Sequence, residues 1–302
     1  MNTVKAGKVS LNYFVITLFV IFSALPFYWM LIAAFKSDPE FVKAQTNSPF
    51  SYALPPTTKN FELLFYQTKY PYFVVNSIVV GIVVVIITVV LAVPAAYSLA
   101  RLTGRWGERL GILIFMVYLI PPTLLFIPMS RIITVLGLRD SIASLIVVYP
   151  TFTVPFCTWL LMGFMKSIPR DVEEQAMVDG YSRFGAIMRV VFPLAVPGIL
   201  TIIVFAFTLT MNEYIYALAF ITQSTNKVIG PGVTTELIRG DVVFWQAIMA
   251  AGVLVAIPVA IVYNLFLDRF ISGFTLGLSK AKTGASNCST HGALPSKRAV
   301  RR

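Results

Sequence analysis

Long charge-free apolar blocks alternate with polar connections along this chain. Leu11–Phe35, Val74–Leu99, Leu110–Ser130 and Ser141–Met165 contain no Asp, Glu, Lys or Arg. Val190–Thr222 carries a single charge, Glu213, and Val242–Leu267 is charge-free between Asp241 and Asp268. An α-helix needs about 20 apolar residues to cross roughly 30 Å of hydrocarbon, and six blocks reach that length. None shows the polar face at helical period that a core helix of a soluble protein carries. Runs such as Ile78–Leu91 also lack the strict alternation over about 10 residues of a transmembrane barrel strand. The pattern predicts an all-α polytopic membrane protein with six transmembrane helices, at about 11–35, 74–99, 110–130, 141–165, 198–222 and 242–267. Residues 1–10 precede the bundle. The first block is too long for the apolar core of a signal peptide, roughly 7–15 residues, so it reads as a retained span.

Punctuation refines the picture. Pro26, Pro94, Pro121-Pro122, Pro128, Pro155 and Pro258 lie inside apolar blocks. Each removes a backbone donor, which a membrane tolerates where neighbours satisfy the freed carbonyl. The Pro121-Pro122 pair is the best candidate for a break. Lys36–Phe73 is the largest connection on its side, with turn signals at Ser37-Asp38-Pro39 and Pro55-Pro56. Phe61, Leu64 and Phe65 suit a short surface helix there. Residues 279–302 are rich in Ser, Gly, Lys and Arg without periodicity, and read as a disordered tail.

Composition and charge then narrow the class. Hydrophobic residues make up 57% and charged residues 12%, against about 25% charged in a soluble domain. The segments 1–10, 100–109, 166–189 and 268–302 carry 2, 3, 4 and 7 Lys or Arg, whereas 36–73, 131–140 and 223–241 carry 4, 2 and 2. The first group is therefore expected to be cytoplasmic, with both termini. The net charge of +11 reflects topology and anionic-lipid contact rather than nucleic-acid binding, because it is spread over separate loops. The sole histidine, His291, and Cys288 lie in the tail, and Cys157 lies in an apolar block as a packing residue. No spacing points to a metal site.

The connection 166–197, KSIPRDVEEQAMVDGYSRFGAIMRVVFPLAVP, is the informative one. Ser167 followed by Pro169 reads as a helix start. Asp171, Glu173 and Glu174 suit the positive end of the helix dipole. Val172, Ala176 and Met177 form a small apolar stripe, and Gly180 stands where a left-handed cap ends a helix. A short amphipathic helix of about three turns follows, with small residues that let another surface approach. Its acidic first half favours a protein partner over anionic lipid.

Glu174-Gln175-Ala176-Met177-Val178-Asp179-Gly180, followed by Phe192-Pro193, resembles the EAA motif of ABC-importer permeases, E-A-A-x-x-x-G with a later L-P. Gln175 stands in place of the first alanine and Phe192 in place of the leucine. Leu25-Pro26-Phe27-Tyr28-Trp29 with Phe35-Lys36-Ser37, and Asn76-Ser77 through Ala95-Ala96-Tyr97-Ser98-Leu99-Ala100-Arg101, resemble the first two spans of the carbohydrate-uptake subfamily. Leu136-Gly137-Leu138, Pro155-Phe156 and Met211-Asn212-Glu213-Tyr214 extend the likeness over roughly residues 20–275. The chain is thus similar to the smaller, MalG-like permease of the maltose-type group.

That resemblance implies an ABC type I importer permease fold whose coupling helix sits in a cleft of an ATPase subunit. The ATPase-coupling residues it implies are Glu173, Glu174, Ala176, Met177, Asp179, Gly180 and Pro193. It also implies two ATPase subunits holding ATP and Mg, a second and different permease, an extracytoplasmic solute-binding protein and a sugar substrate. The setting is the bacterial or archaeal plasma (inner) membrane. No G-x-x-x-x-G-K-[ST] occurs in the chain, so ATP hydrolysis belongs to another subunit. Glu213 is the one charge within the spans, and such a group usually faces a cavity or partner. With Asn212, Tyr214 and Tyr216 it is either a substrate-pathway lining or a hydrogen-bonded structural acid. A permease for a non-sugar solute is the nearest alternative. An ion-coupled secondary transporter fits less well, because that class carries several intramembrane ionisable residues.

Overall fold

Hydrocarbon forces each spanning segment to satisfy its backbone N–H and C=O groups internally, and helices dominate the chain accordingly. The computed structural model describes residues 2–43, 48, 50–261, 263 and 264. Helix α1 (Asn2–Ala34) is followed by α2 (Asp38–Val42) and α3 (Lys59–Glu62), the latter continued by a π turn, Leu63–Gln67. Helix α4 (Tyr70–Tyr97) also ends in a π turn, Ser98–Leu102. Then come α5 (Arg105–Tyr118), α6 (Pro122–Val135), α7 (Ile142–Val148), α8 (Pro150–Ser167) and α9 (Arg170–Val178). Helix α10 (Arg183–Ala186) passes through a π turn, Ile187–Val191, into α11 (Phe192–Asn212). Helices α12 (Ile215–Phe220) and α13 (Ile229–Leu237) precede a two-stranded hairpin, β1 (Ile238–Arg239) and β2 (Val242–Val243), and α14 (Trp245–Ile261).

Among the described residues, four stretches are long and apolar enough to cross a membrane: Asn12–Ala34, Tyr70–Leu102, Ile142–Ser167 and Arg183–Asn212. Helices α5 and α6 make a fifth if taken as one span. They are interrupted at Pro121, where the sequence placed its break. Helix α14 is shorter, and residues 262 and 265–267 of the sixth predicted block lie outside the described residues, as do His291, Cys288 and the tail 279–302. The fifth block is not one helix. Helix α11 stops at Asn212 and α12 starts at Ile215.

The residues pack as two compact units. In one, α1's last turns, α4's first turns, α13 and α14 enclose Ala34, Leu64, Tyr70, Phe73, Leu237 and Ala251. The Tyr70 hydroxyl donates to the Ala251 carbonyl at 3.3 Å. The Asn76 amide donates to the carbonyls of Thr225 and Lys227, and the Ser77 hydroxyl accepts from the Ile229 N–H. The short helix expected around Phe61–Phe65 is present, but Leu64 is buried against this core, so the helix packs on protein rather than lying free. Asp140 links two connections in the same unit. Its carboxylate accepts from the Thr222 hydroxyl and from the N–H groups of Thr222 and Gln223.

In the other unit, α4's second half, α5, α8 and α11 pack through small residues. Ala92, Ala96, Cys157, Ala195 and Ala206 are all fully buried. Small side chains let helix backbones approach where no water drives association. A Cβ on Gly111 of α5 would lie 2.5 Å from the Met162 methyl of α8, so a larger residue there would make the flexible Met162 side chain shift. The Thr88 and Thr153 hydroxyls bond each other at 2.7 Å between α4 and α8. Phe115 stacks on Trp159 at 4.3 Å.

Candidate functional site

The turn after α8 carries the polar chemistry of the second unit. Ser167 does not start the next helix, as its sequence position suggested. Its hydroxyl donates to the Phe164 carbonyl and finishes α8. Pro169, extended at φ −58 and ψ 139, is the residue from which α9 departs. Its fixed φ and missing N–H cost nothing at that position. Asp171 and Glu173 fall in the first turn, against the positive end of the dipole.

Helix α9 has two faces. Val172, Glu173, Ala176 and Met177 turn inward, with Glu173 6% and Ala176 5% exposed. Asp171, Glu174, Gln175, Val178 and Asp179 are exposed and line a shallow hollow of about 370 Å³. Val178 is 86% exposed and shares that lining with Asp171, Glu174 and Asp179. Phe184 and Met188, a few residues on, are exposed as well.

The inward face is tied down by charge. The Tyr97 hydroxyl donates to one Glu173 oxygen. Arg101 places its Nε 3.9 Å from the other, and its Nη2 donates to the Ile168 carbonyl at 2.6 Å. Arg170 reaches back, its Nη2 donating to the Ala100 carbonyl at 3.4 Å. Tyr97, Ala100 and Arg101 all belong to the end of α4, about 70 residues earlier. Sequence pattern did not single out Tyr97, Arg101 or Arg170 as members of this site. The available signal was Arg101 itself, the first charge after a span, on the same expected side as an acidic loop.

The end of α9 is closed by its backbone. Gly180 takes φ +93, its N–H donates to the Met177 carbonyl, and the Tyr181 N–H donates to the Ala176 carbonyl. This 6→1 and 5→2 pair is a Schellman motif, which needs a residue free to adopt the left-handed region. Ser182 then caps α10 by accepting from the Gly185 N–H at 3.2 Å. Arg189 sits over the Tyr181 ring at 5.3 Å. Pro193 is exposed in the first turn of α11, directly after the π turn, where its missing N–H breaks the regular ladder.

The other predicted cluster does not converge. Asn212 and Tyr214 are exposed, while Tyr216 is buried with its hydroxyl donating to the Pro122 carbonyl at 2.8 Å. The Glu213 carboxylate accepts from the N–H groups of Tyr216 and Ala217 at 2.9 and 3.2 Å. It therefore caps the first turn of α12, which supports the structural-acid alternative. The Tyr214 hydroxyl pairs with that of Thr234 at 3.0 Å.

The chain combines membrane-length apolar helices with a short, capped, two-faced helix in the connection between two of them. The chain belongs to the family described as the binding-protein-dependent transport system inner membrane component, which matches residues 89–275. It is 34% identical to the sulfoquinovosyl glycerol transport system permease protein SmoH of Agrobacterium fabrum, over 92% of this chain and 95% of that one. It is 27% identical to the trehalose/maltose transport system permease protein MalG of Thermococcus litoralis, over 88% and 94%. Among solved structures, a bacterial ABC transporter involved in the import of the acidic polysaccharide alginate superposes with a TM-score of 0.71 at 19% identity, covering 86% of this chain and 95% of that one. The chain is a membrane-spanning permease subunit of an ABC importer, a transporter component rather than a catalytic one.

Proposed function

We propose that this permease imports a sugar or oligosaccharide as the smaller member of a heteromeric pair, and that α9 docks it on an ATPase subunit. The observation that carries the docking is the division of α9 into a fastened inner face and an open outer face, with Val178 exposed among Asp171, Glu174 and Asp179. An exposed apolar residue on a face that also carries carboxylates suits a cleft with a basic rim. The sugar assignment is supported by relatives whose names specify sulfoquinovosyl glycerol and trehalose/maltose. ATP and Mg reside on two ATPase subunits, and an extracytoplasmic binding protein delivers the solute. The Lys/Arg distribution supports a cytoplasmic side for both termini and α9. Glu174, Ala176, Met177, Asp179, Gly180 and Pro193 build or frame the docking helix. Asn212, Glu213, Tyr214 and Tyr216 are assigned to the region of the solute pathway, with Glu213 shaping it by capping α12 rather than by touching solute.

A ligand or partner shifts a two-state protein only through differential interaction with the two states. Closure of the ATPase dimer supplies that difference at α9. Co-reconstitution with the ATPase, the second permease and the binding protein should give ATP-dependent uptake of a labelled sugar. Uptake driven by an ion gradient without ATP would reject the proposal.

A further inference from the structure

Glu173 and Glu174 are adjacent in sequence and opposite in environment. Glu174 stands in the open, while Glu173 is 6% exposed. A buried carboxylate is costly unless charge and hydrogen bonds compensate it. Its hydrogen bond and its ion pair both come from the end of α4: the Tyr97 hydroxyl on one oxygen and the Arg101 guanidinium near the other. The backbone repeats the tie in both directions. Arg101 holds the Ile168 carbonyl just before α9, and Arg170 in α9 holds the Ala100 carbonyl just after α4. Between Tyr97 and Arg101 the chain is wound as a π turn, Ser98–Leu102, a form that recurs at functional positions. A helix that only needed to be packed would carry an apolar residue at position 173, as it does at Val172 and Ala176.

We propose that Glu173 is a positioning residue. With Tyr97 and Arg101 it locks the inner face of α9 to the last turn of the second span, so that a displacement of α9 is delivered to α4. The assignment splits the acid pair by role. Glu174 faces the partner, and Glu173 faces the chain's own bundle. It rests on α9 being the ATPase-docking helix, and the test separates the two ideas.

The test uses the full complex of this chain, its partner permease, the ATPase subunits and the binding protein in proteoliposomes. The readout is sugar taken up per ATP hydrolysed. Glu173→Gln keeps the shape and removes the charge; the expected result is a fall of about tenfold in that ratio, with the ATPase subunits still co-purifying. Glu173→Asp, which keeps the charge, should recover at least half of the loss. Val178→Glu on the outer face is the control for docking and should strip the ATPase subunits from the complex. If Val178→Glu strips them and Glu173→Gln has the unaltered ratio, the lock is overturned and docking stands. If Val178→Glu retains them in full, docking itself fails. Should Glu173→Gln not assemble, Tyr97→Phe decides, since it removes one hydroxyl; an unchanged ratio in that variant overturns the lock.

Discussion

The Lys36 ammonium lies 3.4 Å from the Glu40 carboxylate, and neither side chain has any exposed surface. The pair follows directly on α1. Lys36 also donates to the Ser48 carbonyl at 2.6 Å and sits over the Trp29 ring at 5.4 Å, while Glu40 accepts from the Ala53 N–H at 2.8 Å. Asn60 fixes the same corner by donating to the carbonyls of Ala34 and Lys36. Removing one member of a buried ion pair strands the other, at about 3–5 kcal/mol. Lys36→Met should therefore lower the thermal unfolding midpoint of the detergent-purified protein sharply. Glu40→Gln should cost less, because an amide oxygen still accepts from Ala53. Equal midpoints for both variants would contradict this account.

Gly180 has open space around a built Cβ, so its constraint is backbone conformation alone. A left-handed residue costs about 1–2 kcal/mol for an ordinary L side chain, less for Asn. Gly180→Asn should keep ATP-coupled uptake near the wild-type level. Gly180→Val should abolish it while the protein remains in the membrane. Normal transport-coupled ATPase activity in Gly180→Val would remove the cap from the mechanism.

Glu213 is expected to matter for the stability of α12. Loss of a helix-capping acceptor costs about 0.5–2 kcal/mol. Glu213→Ala should lose that much in a detergent unfolding assay. Glu213→Gln retains an acceptor and should transport almost normally. Complete loss of uptake in Glu213→Gln with an unshifted midpoint would instead mark a direct solute contact.

Asp140 sets a pH dependence. The Thr222 hydroxyl, then the Thr222 and Gln223 N–H groups, hold its carboxyl below the ordinary value of 3.8, with a smaller contribution from Arg139. A lowered folded-state value means that the tie stabilises above the unfolded pKa and is lost as pH falls through the folded one. Protection of the Thr222 and Gln223 amides from hydrogen exchange, corrected for intrinsic rates, should stay flat from pH 7 to pH 5 and drop below about 3.8. Asp140→Asn tolerates the residue's φ of +57 and should erase the acid step. An identical step in that variant would assign it to another group.

Local rules carried the sequence reading where structure is locally determined. The break at Pro121-Pro122 and the left-handed cap at Gly180 were legible, because missing N–H groups and positive φ leave their mark on residue type. Ser167 misled, because a hydroxyl beside a proline serves a helix end as well as a helix start, and here it bonds back to Phe164. The break between Asn212 and Ile215 left no such mark, since it contains neither proline nor glycine and depends on Glu213 turning onto the next helix. The inward turn of Glu173 was hidden for a different reason. Its partners Tyr97 and Arg101 lie on another helix, and no periodicity within α9 distinguishes a carboxylate that faces them from one that faces water.

Among the described side chains of α1, packing on its own chain is confined to the last turns. Met30, Ala33, Ala34 and Lys36 are engaged, whereas an 18-residue apolar stretch within Asn12–Ala34 has no buried residue. Over most of its length this helix is specified by solvent rather than by fit. Its middle can accept nearly any exchange among large apolar side chains without disturbing the fold of its own chain. Substitution there is a direct probe of whatever surrounds the protein in the bilayer: a variant that changes assembly but not unfolding reports a neighbouring subunit, and one that changes neither reports lipid.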